Sequence, residues 1–172
     1  LHGGGHADYG GNEMLTFSFD TLRWRRSIET YDLPARTAAR PCPQPARDQD
    51  GPPSGHTYDG LVWSTALDGV LYFQTHGYCL SGEHTNDRDF RKSIWFGDPR
   101  SGKWRRLGPL QPGDIYVATA ELPDGRIVIF GNNGAPRIYD PRSNSFAQSG
   151  DSMNWEFPHL IYAPDRNQFF AL

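Results

Sequence analysis

Short apolar runs separated by tight polar turns recur along the whole chain, and 3.6-residue helical spacing is almost absent. Three segments share one grammar: FSFDTLRW (17–24), IWFGDPRSGKW (94–104) and PRIYDPRSNSF (136–146). Each is an apolar strand, an aspartate, a polar turn and then an aromatic that opens the next strand. Asp20, Asp98 and Asp140 suit the first turn position, where a carboxylate accepts backbone N–H bonds. Pro99 and Pro141 preset φ for the position that follows. A second unit precedes or follows these: LVWSTALDGVLYF (61–73), YVATAELPDGRIVIFG (116–131) and HLIYAPDRNQFFAL (159–172). Asp-Gly between β-rich runs is a strong hairpin signal.

Taken in order, the chain holds strands 3 and 4 of one four-stranded unit, two complete units, then strands 1 and 2 of another. Trp104 and Phe146 are 42 residues apart, inside the roughly 40–50-residue period of propeller repeats. Trp24 and Trp104 are separated by more, because residues 28–55 and 75–93 are insertions. The expected organisation is one domain over 1–172. Residues 1–27 give strands 3–4 of a split blade, 28–52 a long loop, 53–110 a second blade, 111–150 a third, and 151–172 strands 1–2 of the split blade. The expected fold class is thus an all-β propeller of four-stranded antiparallel blades.

The chain resembles the kelch and galactose-oxidase-like propellers. The resemblance is carried by GGGHADYGGNE (3–13), the D-P-x-S-x-x-aromatic turns and PSGHTYDGLVW (53–63). It implies a fold that hosts binding modules, scaffolds and enzymes alike. Only the first unit has a full diglycine after its second strand; the later ones read YFQTHG and IFGNNG. The copper constellation of galactose oxidase does not map onto these residues, and the oxidase activity is not carried over.

Three blade equivalents do not close a ring, because propellers have about 4–8 blades. Two copies would supply six. Strands at 159–172 of each copy would then pair with strands at 12–27 of the other, giving a two-fold, isologous homodimer. The alternative is that the sequence belongs to a longer chain that closes within itself.

Composition changes this picture little. Among 172 residues, 19 Gly and 14 Pro favour short strands with many turns, and 37% hydrophobic residues allow a core. A net charge of −3 gives no basis for nucleic-acid binding or for an anionic membrane. No apolar run approaches the roughly 20 residues of a membrane-spanning helix. Cys42 and Cys79 make neither a disulfide framework nor a zinc motif, and they stand open as free or bridged. The sequence assigns no compartment.

Topology points to one face. The 1–2 and 3–4 turns are minimal, whereas the long segments are 2–3 and 4–1 connections, which share the opposite face. The expected ligand-binding residues there are His6, Asp8, Tyr9, His56, Tyr58, Asp59, His76, Tyr78, His84, Asn132 and Asn133. Histidines and aspartates in this set could ligate a metal, but none has diagnostic spacing, so no metal and no cofactor are expected. Glycines 3–5, 10 and 11 lack the following helix that a phosphate loop requires. Glu83, Asp87 and Asp89 suit a solvated loop better than a glycosidase pair. The arginines near the 3–4 turns suit rim ion pairs, and most tryptophans suit inter-blade packing. No nucleophile–base arrangement is recognisable, so no catalytic residue is assigned. The expected function is a non-catalytic module binding a protein or other ligand on the long-loop face. The alternative is a carbohydrate-active enzyme or glycan binder with its site at the channel mouth.

Overall fold

The computed structural model describes residues 13–29, 51–52, 57, 59–74, 93–110, 117–131, 135–148, 150–151 and 159–171. All regular structure in these residues is β. Strands β1 (Met14–Ser18) and β2 (Arg23–Ile28) form a two-stranded sheet. A four-stranded antiparallel meander follows: β3 (Leu61–Ser64), β4 (Gly69–Gln74), β5 (Ser93–Asp98) and β6 (Lys103–Pro109). A second meander is β7 (Ala118–Glu121), β8 (Ile127–Phe130), β9 (Arg137–Asp140) and β10 (Ser145–Gln148). The last hairpin is β11 (Leu160–Ala163) with β12 (Gln168–Ala171). Among the described residues, no sheet closes on itself.

Among the described residues, five of the six tight hairpins use a four-residue loop whose last residue has positive φ: Leu22, Asp68, Gly102, Asn144 and Asn167. A tight loop that ends left-handed restores strand direction, and Gly, Asn and Asp tolerate that conformation best. Asp98 and Asp140 accept the backbone N–H of Arg100 (2.8 Å) and Arg142 (2.9 Å), as the turn pattern predicts. Asp20 does not. Register places Ser18 opposite Arg23, so Ser18 occupies the first turn position and its hydroxyl accepts from Thr21 N–H at 3.3 Å. Gly69 also differs from expectation. It opens β4 rather than forming the turn, and a Cβ there would lie 2.5 Å from the Phe96 ring. Close approach of β5, not turn conformation, requires glycine.

β1–β2 repeats β5–β6 in detail. Pairing shifts between Met14 and Leu15 in one and between Ile94 and Trp95 in the other, the same place in each hairpin. Phe17 opposes Trp24 where Gly97 opposes Trp104, and Met14 opposes Ile28 where Ile94 opposes Gly108. Bulges of this kind bend a strand and raise its twist.

The sheets stack face to face in sequence order. Period-2 alternation sends Leu71, Phe73 and Ile94 to one face of the first meander, where they meet Ile127, Ile129 and Tyr139 of the second. Tyr72, Trp95 and Trp104 take the other face and meet Met14 and Ile28. Each such large side chain contributes about 1.5–3 kcal/mol by leaving water. The step between neighbours recurs. The Asn144 amide donates to the Leu107 carbonyl at 2.9 Å, and a Cβ on Gly102 would lie 3.4 Å from the Ser27 carbonyl. Gly102 and Asn144 hold the same turn position, and Ser27 and Leu107 are the corresponding bulge residues. The hairpin therefore sits on the first meander as the first meander sits on the second.

Candidate functional site

The leading strands of successive units lie beside one another: β7 neighbours both β3 and β11. Asp59 forms an isolated parallel bridge with Ala118, and the Thr119 hydroxyl donates to the Asp59 carbonyl at 2.6 Å. The Asp59 carboxylate then reaches past β7. Its Oδ2 lies 2.8 Å from Nδ1 of His159, the residue just before β11. The N-terminal ends of three successive leading strands thus meet at Asp59, Thr119 and His159. Thr119 is buried, Asp59 half-buried and His159 exposed, so the group opens to solvent on the imidazole side.

The opposite end of these strands is tied separately. Glu121 Oε1 accepts from the Thr65 N–H at 2.6 Å and from the Thr65 hydroxyl at 2.9 Å. Ion pairs rim that end: Arg100 with Asp68, and Arg126 with Asp124 at 2.7 Å. The Arg126 hydrogen bond holds the Asp124 carboxyl below its usual range, and hydrogen bonds from Ser101 and Arg100 do the same for Asp98. The short hairpin turns fill this end. The 75–92 connection leaves from Gln74 and returns at Ser93, at the same end as Asp59.

Of the residues expected to bind ligand, Asp59 is the one the structure describes. His6, Asp8, Tyr9, His56, Tyr58, His76, Tyr78, His84, Asn132 and Asn133 lie outside the described residues. Sequence reasoning missed His159. It precedes an apolar strand just as Asp59 does, but its proximity to Asp59 arises only when the three leading strands lie side by side. Among the described residues, no group of three or more His, Cys, Asp or Glu is placed to hold a metal ion. Among them also, no helix is long and apolar enough to cross a membrane.

Compared with protein-family models and with curated proteins, the chain matches none.

Proposed function

We propose that the chain is an arc of a kelch-like β-propeller and serves as a non-catalytic binding module for a protein or peptide. The site is the end of the leading strands marked by Asp59, Thr119 and His159. One observation carries this reading: a carboxylate and an imidazole from units two apart converge where the long connections begin and end, on a rigid strand scaffold. Binding residues concentrate on such loop-bearing ends. The opposite end is occupied by minimal turns and intramolecular ion pairs, which leaves fewer groups for a ligand. The Asp59–His159 pair offers a ligand hydrogen-bond donors and acceptors at 2.8 Å from one another. Two copies of the arc would make a ring of six sheets.

The test is selection of a displayed random-peptide library on the immobilised chain. Enriched peptides are then measured against Asp59→Lys and His159→Ala. The reading expects enriched peptides whose affinity falls at least tenfold in both variants. Peptides indifferent to both substitutions would overturn it. So would an empty selection accompanied by binding on a glycan array, which would favour the carbohydrate-binding class.

A further inference from the structure

We propose that β2 and β6 together form a cationic track that docks an extended acidic peptide, separate from the Asp59–His159 end. The inference uses only the stacking of the β1–β2 hairpin on the first meander. It therefore fails or survives independently of the ligand reading above.

The charge pattern is written in the two strands. β2 reads RWRRSI and β6 reads KWRRLGP, six cations and no carboxylate in thirteen residues, on a chain whose net charge is −3. Register makes the strands equivalent: Arg23 matches Lys103, Trp24 matches Trp104 and Arg25 matches Arg105. Alternate residues of a strand share a side, so Arg23 and Arg25 stand about 7 Å apart on one side of β2, and Lys103 and Arg105 on the equivalent side of β6. The end of β2 meets the start of β6: a Cβ on Gly102 would lie 3.4 Å from the Ser27 carbonyl. The cations thus follow one path of about 40 Å along the two strands.

These charges are not spent within the fold. Arg26 is paired with Glu29 at 3.0 Å, Arg100 with Asp68 and Arg126 with Asp124. Arg23, Arg25, Lys103 and Arg105 are exposed and form no ion pair among the described residues. Two of the four are held by uncharged groups. Arg25 Nε donates to the Thr16 hydroxyl at 3.2 Å, and the Arg105 guanidinium lies 5.5 Å from the centre of the Phe96 ring. Each anchor steadies a guanidinium and leaves its terminal N–H groups for a carboxylate, which accepts such a fork through two parallel hydrogen bonds.

Guarding a sheet edge does not account for the pattern. Edge cations discourage strand pairing, but β10 ends the second meander in the same position and reads SFAQ, without a cation. The occupant follows from the spacing. Alternate side chains of an extended peptide are also about 7 Å apart, so carboxylates at every second residue meet the track in step. A single-stranded nucleic acid fits less well. Trp24, the exposed indole of the track, stands on the opposite side of β2 from Arg23 and Arg25, so bases would not stack beside the cations that hold the phosphates.

The test is fluorescence anisotropy with a labelled peptide of about 13 residues alternating Asp and Ser, long enough to span both strands. Saturable binding is expected, and it should vanish in about 1 M salt. Arg25→Gln/Arg105→Gln should weaken it at least about tenfold, whereas Arg100→Gln/Arg126→Gln, at arginines already paired, should weaken it less than about twofold. Arg25→Glu/Arg105→Glu should instead bind the matching Lys–Ser peptide. All substituted side chains are on the surface, and unchanged circular dichroism and urea midpoint show that the variants are folded. A chain that does not bind the Asp–Ser peptide would overturn the proposal. So would equal losses in the two glutamine pairs, or binding of oligouridylate or of phosphatidylserine vesicles as tight as that of the peptide.

Discussion

Asn144 offers the sharpest test of how the sheets are joined. It adopts φ 51°, its side-chain amide donates to the Leu107 carbonyl of the neighbouring sheet at 2.9 Å, and its Oδ1 accepts from the Tyr139 hydroxyl at 2.8 Å. Tyr139 is fully buried, and burial pushes its hydroxyl up to about 12, so it is a neutral donor at any ordinary pH. Asn144→Ala places a Cβ-bearing residue without local polar support in the left-handed region, at about 1 kcal/mol. It also removes the inter-sheet hydrogen bond, about 0.5–1.5 kcal/mol, and strands a buried hydroxyl, about 1–3 kcal/mol. The expected loss is about 2.5–5.5 kcal/mol, read as a fall in urea midpoint at constant slope and fixed protein concentration. Tyr139→Phe alone should cost about 1 kcal/mol, and Asn144→Ala in that background should cost about 1–3 kcal/mol less than in the native one. Asn144→Gly keeps the backbone conformation and should recover about 1 kcal/mol relative to alanine. Equal costs of Asn144→Ala with and without the Tyr139 hydroxyl would refute the latch. The same latch recurs from Tyr162 to Asn167 at 2.8 Å.

Other outcomes follow from the same geometry. Leu22 holds φ 54° while 72% exposed, so Leu22→Gly should raise stability by about 0.5–1 kcal/mol in thermal or urea melts; a loss would show that the side chain matters more than the backbone. A Cβ on Gly97 would lie 2.7 Å from the Trp104 ring, so Gly97→Ala should destabilise by about 1–3 kcal/mol and perturb tryptophan fluorescence; an unchanged melt would contradict that packing. Asp98 and Asp124 have folded pKa values below their unfolded ones, so their stabilisation is present above the unfolded value and lost as pH falls through the folded one. Stability should decline as acid protonates them, and Asp98→Asn/Asp124→Asn should flatten that decline; a parallel pH profile would refute the assignment.

The hairpins were legible because strands of period 2 and turn residues are local signals. Pro99, Gly102, Pro141 and Asn144 mark their loops without reference to the rest of the fold. Asp20 misled because an aspartate in a turn looks alike at either of two positions, and only pairing with β2 shows that Ser18 does its work. The Met14 and Ile94 bulges left no signal in the pattern, since one extra residue in a strand changes no residue type. Gly69 looked like half of an Asp-Gly turn but answers to Phe96, a contact across the sheet. His159 was invisible for the same reason: its meeting with Asp59 depends on the stacking of three units. The two four-stranded antiparallel sheets, by contrast, could be read directly, because strand count per repeat is a property of sequence order.

Small-angle X-ray scattering of the unmodified chain, on an absolute intensity scale, bears most directly on the proposed ring of two copies. The account predicts one oblate particle of twice 19.4 kDa that persists on dilution through the micromolar range. A particle of 19.4 kDa, or an elongated series growing with concentration, would contradict it.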